Sequence, residues 1–168
     1  VTGTINGTGN NHYLGQAVAI SADGNTVVVN ETGYTSGGGN TGRLQVYRWA
    51  NSSWSQLGGD INGPLTQATR VDISSDGTRV VLGSTSHSTN TGQVQVYDYN
   101  STSSAWDQVG ASLTGTATSQ FFGRSVSISS NGSRILVGAS GDTTTASYAG
   151  AGRIYDWNGS AWAQLGNP

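Results

Sequence analysis

The side chains able to move protons are few: His12, His87, Glu31 and eight aspartates, in a chain with no cysteine and no lysine. Neither histidine has a carboxylate close by in sequence, no Gly-x-Ser-x-Gly elbow presents a serine, and no His-Glu-x-x-His pair offers a zinc site. Both histidines fall in polar connecting stretches, where a lone solvated imidazole is the expectation. The stretch "TSGGGNTG", with Gly37, Gly38 and Gly39, has the glycine content of a phosphate loop but neither a lysine nor a following helix, so it reads as a flexible connection. Distant groups can still converge in a fold, which keeps an enzyme as the third reading. The first expectation is a non-enzymatic protein.

The elements that must carry these residues follow from composition. The 168 residues are dominated by Gly, Ser, Thr and Asn, and only 10% are charged. Strand and turn formers outnumber helix formers, so one all-β domain is expected. A net charge of −2 with seven scattered arginines excludes a phosphate-binding stripe, hence no nucleic-acid partner. No apolar run is long enough to span a bilayer, so no membrane insertion is expected. Asn-x-Ser/Thr triplets at Asn6, Asn30, Asn51, Asn100, Asn131 and Asn158 mark candidate glycosylation sites. With the thiol-free, weakly charged composition they point to an extracellular or cell-surface location.

An internal repeat organises the chain. "AVAISADGNTVVVNET" (17–32), "RVDISSDGTRVVLGST" (70–85) and "SVSISSNGSRILVGAS" (125–140) align, and Val18, Val71 and Val126 recur at spacings of 53 and 55 residues. Behind each copy come Tyr47, Tyr97 or Tyr155, and then Trp54, Trp106 or Trp162 in "SSWSQLG", "SAWDQVG" and "SAWAQLG". Each unit holds four short strand candidates. The first alternates apolar and small residues, the second is almost wholly apolar, and the Asp-Gly or Asn-Gly pair between them suits a tight hairpin turn with positive φ. Four antiparallel strands repeated at this length are the pattern of propeller blades, with a stacked solenoid as the competing architecture. The blades are expected at about 13–60, 66–112 and 121–168, after a linker over 1–12.

In the third unit, "FFGRSVSISSNGSRILVGAS" followed by "GRIYDWNGSAWAQLG" resembles the FG-GAP repeat of integrin-α-type β-propellers. "YLG" (Tyr13 to Gly15) stands in the first unit where "FFG" (Phe121 to Gly123) stands in the third, and the second unit has "QAT" there instead. The resemblance implies an adhesion or scaffold module, and repeats of this kind often carry a calcium loop between the first two strands. Here those loops are "SADGNT", "SSDGTR" and "SSNGSR", with at most one carboxylate each against the six to eight oxygens that calcium takes. Asp23 and Asp76 therefore read as turn residues, and no cofactor is expected, calcium being the one ion left open.

Three blades fall short of the four of a small closed ring, which leaves an apolar face bare at each end. The expectation is a homo-oligomer, a dimer whose two arcs complete six blades. The long, varied connections between the second and third strands share one rim, and variable loops on a constant scaffold are where recognition resides. Glu31, Tyr34, His87, Asp142 and Tyr148 are the candidate binding residues there, for a protein or glycan ligand. A lectin-like alternative uses Trp54, Trp106 and Trp162 as sugar-stacking platforms, with Tyr47, Trp49, Tyr97, Tyr99, Tyr155 and Trp157 as further candidates.

Overall fold

A computed structural model describes residues 3–36, 39–63 and 69–166, and Gly37 and Gly38 of the glycine-rich stretch lie outside them. The first sheet is a meander of β1 (Leu14–Ile20), β2 (Thr26–Glu31), β5 (Arg43–Ala50) and β6 (Ser53–Gln56), with the two-residue pair β3 (Thr35–Ser36) and β4 (Gly39–Asn40) in the loop before β5. β7 (Ile61–Asn62) leads into the second sheet, which consists of β8 (Thr69–Ile73), β9 (Arg79–Ser84), β10 (Gln93–Asn100) and β11 (Ala105–Gln108). β12 (Leu113–Thr114) follows, and the third sheet is β13 (Phe122–Ile128), β14 (Arg134–Ala139), β15 (Ala151–Trp157) and β16 (Trp162–Gln164). All pairings within these sheets are antiparallel. The chain is all-β with three antiparallel sheets, as its composition implied. Among the described residues no helix is long and apolar enough to cross a membrane.

Each first hairpin turns by one device. Asp23 Oδ1 accepts from Ser21 Oγ at 2.6 Å and from the Asn25 amide at 2.9 Å. Asp76 repeats this with Ser74 and Thr78, and Asn131 with Ser129 and Ser133. The following glycines, Gly24, Gly77 and Gly132, take φ of 74°, 70° and 72°, where a side chain would be strained. The expected tight two-residue turn is thus a longer connection, closed by a side-chain oxygen rather than by backbone alone. The acidic or amide residue of each loop is spent on its own turn.

Two units carry a bulge. The ladder between β1 and β2 slips between Leu14 and Val18, and that between β13 and β14 slips between Phe122 and Ser125. Gly15 and Gly123 sit at these points with φ of 92° and 85°. Two extra residues on the first strand bend it there. β8, which lacks a glycine, pairs with β9 in continuous register from Thr69 to Ile73.

The core lies between sheets, not within one. Val28, Leu44, Val46 and Ile61 of the first sheet pack on Ile73, Val80, Leu82 and Tyr97 of the second. Val81, Val94 and Val96 from the other face of the second sheet pack on Phe122, Ile135, Val137, Tyr155 and Trp162 of the third. Since alternate residues of β9 enter opposite cores, the strand must be apolar throughout, which is why "VVL" is unbroken. Trp106 Nε1 donates to the Leu57 carbonyl at 2.8 Å, and Trp162 Nε1 to the Val109 carbonyl at 3.0 Å. These two indoles are engaged in the joints, and Tyr97 and Tyr155 are buried beside them. Their expected use as sugar platforms is corrected accordingly.

Phe122 is fully buried, meets the Tyr155 ring edge-on at 6.2 Å and bridges to Gly92 through the backbone. Phe122→Ala is expected to cost about 3–5 kcal/mol of unfolding free energy, read from urea denaturation followed by tryptophan fluorescence.

Candidate functional site

In an antiparallel meander the start of the first strand, the end of the second and the start of the third lie at one end of the sheet. At that rim of the first sheet five polar side chains converge, those of Thr8, His12, Glu31, Arg43 and Asp60. Glu31, the last residue of β2, is fully buried. Its Oε1 accepts from the Thr8 amide at 2.8 Å and from Thr8 Oγ1 at 3.0 Å, and its Oε2 accepts from Arg43 Nε at 2.7 Å. His12 Nδ1 lies 3.2 Å from the same Oε1. Arg43, at the start of β5, also donates to Asp60 Oδ2 at 2.6 Å and to Thr8 Oγ1 at 3.0 Å. Its guanidinium lies 3.8 Å from the Tyr34 ring centre, and that ring meets His12 edge-on at 5.8 Å.

Burial opposes the charge on Glu31, but the Thr8 amide, Arg43 and the Thr8 hydroxyl outweigh it and hold its pKa below the usual carboxylate range. An ionised carboxylate only accepts hydrogen bonds. The proton of a neutral His12 is therefore held on Nδ1, facing Glu31, and Nε2 keeps its lone pair. Two glycines shape the space around this ring. A Cβ on Gly9 would stand 2.8 Å from His12 Nε2, and one on Gly33 would collide with the Asn11 carbonyl oxygen. The Gly33 amide donates to the His12 carbonyl at 2.9 Å, fixing the backbone that carries the imidazole.

The third sheet builds the same corner with different chemistry. "HYLG" and "QFFG" place Gln120 where the first sheet has His12. Gly141 meets the Ser119 carbonyl as Gly33 meets that of Asn11, and its amide donates to the Gln120 carbonyl at 3.0 Å. Gln120 Nε2 donates to the buried Asp142 Oδ2 at 2.6 Å, and Arg153 is ion-paired to the same oxygen. Bonds from the Thr144 side chain and amide, then those of Gln120 and the charge of Arg153, lower the Asp142 pKa against the opposing effect of burial. A carboxamide, unlike an imidazole, does not take up a proton near neutral pH, so of the two corners only the first places a histidine base beside its carboxylate.

Of the residues selected from sequence, Glu31 and Tyr34 share the first corner, Asp142 anchors the third, and His87 and Tyr148 belong to neither hydrogen-bond network among the described residues. His87 is half-buried in the short turn α1 (His87–Asn90), and Tyr148 is exposed. The expectation that His12 is a lone solvated residue is overturned, because β2 returns Glu31 to it across 19 positions. Arg43, Thr8 and Asp60 were missed. Arg43 stands in the same "TG" context as Gln93, so its charge was the available signal. Asn30 is fully buried, its Oδ1 accepting from the Ala17 amide at 2.7 Å, which removes it as a glycosylation site. Among the described residues no three His, Asp or Glu side chains gather as a metal site.

Comparison with known proteins yields no matching family model and no matching curated protein. Solved structures do match. A candidate 6-phosphogluconolactonase from Bacteroides fragilis superposes with a TM-score of 0.59 at 14% identity over 88% of this chain and 36% of that one. A second, from Bacteroides uniformis, gives 0.58 at 13% identity over 88% and 38%. The β-propeller domain of the Trilobed protease from Pyrococcus furiosus gives 0.50 at 12% identity over 88% and 42%. The chain thus spans well under half of these similar structures. At such identities the likeness is one of fold, and the fold is propeller-type. Two of the three proteins are named for an enzymatic activity on a sugar lactone, which corrects the expectation of a non-enzymatic adhesion module.

The Glu31 carboxylate has a folded pKa below its unfolded value of about 4.3. Its contribution to stability is complete above that value and is lost as pH falls through the lower folded one. Glu31→Gln should lower stability at neutral pH and flatten the acid side of the stability profile below about pH 4.3, as measured by thermal melts across pH.

Proposed function

We propose that the three sheets are blades of a propeller-type hydrolase, and that the corner at His12 opens the cyclic ester of a sugar acid. The observation that carries this reading is the contact of His12 Nδ1 with the buried, ionised Glu31. It fixes a base and its orienting carboxylate at one end of the first sheet's antiparallel strands. The names of the similar structures support a lactone as the substrate class.

In this reading His12 Nε2 accepts a proton from water as the resulting hydroxide adds to the ester carbonyl. Collapse of the tetrahedral adduct breaks the ring C–O bond, and the imidazolium returns its proton to the departing alkoxide. Glu31 stays ionised throughout and stabilises the imidazolium through Nδ1. Arg43 and Thr8 are positioning residues, because their donors are directed at Glu31 and Asp60. Tyr34 covers Arg43 and borders the imidazole, which limits water on that side. The arrangement of the blades as half of a six-bladed ring belongs to the same proposal.

Release of acid from glucono-δ-lactone, followed at constant pH, tests the assignment. The chain should exceed the spontaneous rate, and His12→Ala should remove about 10²-fold or more of that excess. Arg43→Lys should retain part of it. A wild-type rate equal to the spontaneous one, or an unchanged rate in His12→Ala, would sink the proposal.

A further inference from the structure

The two joints between sheets are built alike, and each uses one kind of face against another. In the first, Trp106 of the second sheet packs on Gly58 and donates to the Leu57 carbonyl. In the second, Trp157 and Trp162 of the third sheet both pack on Gly110, and Trp162 donates to the Val109 carbonyl. The hairpin turns are chained as well, the Ala22 amide donating to the Ser75 carbonyl at 3.1 Å and the Ser75 amide to the Ser130 carbonyl at 3.0 Å. At the same level Thr26 fills the space over Gly77, and Arg79 lies over Gly132 with Nη1 donating to its carbonyl at 2.9 Å.

The outer faces of the first and third sheets carry the halves of this joint that have no counterpart among the described residues. The outer face of the first sheet has the tryptophan-side set: Val18 and Ile20, 62% and 61% exposed, with Trp54 beside them around an open apolar cavity of about 500 Å³. The outer face of the third sheet has the opposite set: Leu136, Ile154 and Leu165, 48%, 40% and 43% exposed. Gly166 repeats Gly58 and Gly110, with φ of 79° against 74° and 72°, and Gly24 repeats Gly77 and Gly132. A Cβ on either Gly166 or Gly24 would meet nothing within 4 Å. The indole N–H of Trp54 has no acceptor among the described residues. Each unmatched element on one face has its partner type on the other.

We infer that the first sheet's outer face docks on the third sheet's outer face of a second copy of this chain, reproducing the internal joint with Trp54 against Gly166 and Arg134 over Gly24. In that joint Trp54 Nε1 donates to the Leu165 carbonyl and the Ser130 amide to the Ala22 carbonyl. Like faces do not match, so association is head to tail, and two copies use all four faces by closing on each other. The occupant is a second copy because the joint needs no element that this chain does not carry. The inference rests on the propeller arrangement proposed above and not on hydrolysis.

Sedimentation equilibrium at micromolar concentration should give twice the chain mass, and Val18→Asp or Leu136→Asp should each return the monomer. Both positions are already exposed within one copy, so circular dichroism should show the fold intact. The chain contains no cysteine, which permits a second readout. Ala22→Cys with Ser75→Cys should oxidise to a disulfide within one chain, whereas Ala22→Cys with Ser130→Cys should oxidise to a covalent dimer. A monomeric wild type, an undisturbed dimer in both aspartate variants, or no covalent dimer while the first cysteine pair closes would overturn the inference. A monomer would assign these faces to further repeats of a longer chain. Because every readout is mass or crosslinking, none depends on lactone hydrolysis, and His12→Ala should leave all of them unchanged.

Discussion

The structure depends on apolar sheet faces that cannot be buried within their own sheet. A four-stranded meander has two sides, and both are apolar here: β9 turns Val80 and Leu82 to one and Val81 to the other, and β10 turns Tyr97 to the first and Val94 and Val96 to the second. Neither the first nor the third sheet alone would keep the second from water. The hydrophobic drive therefore acts between sheets, and the backbone adapts to it. The bulges at Gly15 and Gly123, the glycines beneath Trp106 and Trp162, and the close approach of Gly83 to the Gly123 backbone all bring neighbouring sheets together. Short strands β7 and β12 add to this by pairing with the start of the third strand of the preceding sheet, so the connection between sheets is held by a ladder rather than left as a loop.

Against this apolar framework the rim concentrates charge. Glu31 with Arg43, and Asp142 with Arg153, are buried or nearly buried pairs whose remaining hydrogen-bonding positions are filled by Thr8, Asp60, Gln120 and Thr144. Such pairs add little net stability over an apolar replacement, but removing one partner leaves a desolvated charge that is costly. A buried carboxylate held in this way has a fixed position and a fixed ionisation state. Those are the two properties a histidine needs from the group that orients it, and at His12 both are present.

The periodicity of the repeats carried much of this architecture. Alternation in the first strands, the unbroken apolar second strands and the recurring Tyr and Trp positions each follow from a pleated element packed on one or two sides. The turn glycines were visible for the same reason. What the pattern did not reveal were contacts made across a hairpin. His12 and Glu31 are 19 residues apart, and only the register of β1 on β2, shifted by the bulge at Gly15, brings them within a hydrogen bond. Sequence spacing cannot encode a slip in the ladder. The burial of Asn30 was hidden likewise, since its triplet looks like any surface sequon until β2 is placed between two strands. Tryptophan gave an ambiguous signal, because an indole that packs between sheets and one that receives a sugar have the same composition and spacing.

The paired corners at His12 and Gln120 share a backbone: a glycine two residues past the second strand's end, a carbonyl pressed against it, and a side chain directed at a buried acid. Supporting geometry and reactive group are thus separable in this protein. The scaffold specifies where a donor or base will stand, while a single side-chain identity decides whether that place is inert or can exchange a proton. Repetition supplies two equivalent sockets, and chemistry can be gained or silenced at each without disturbing how the sheets assemble.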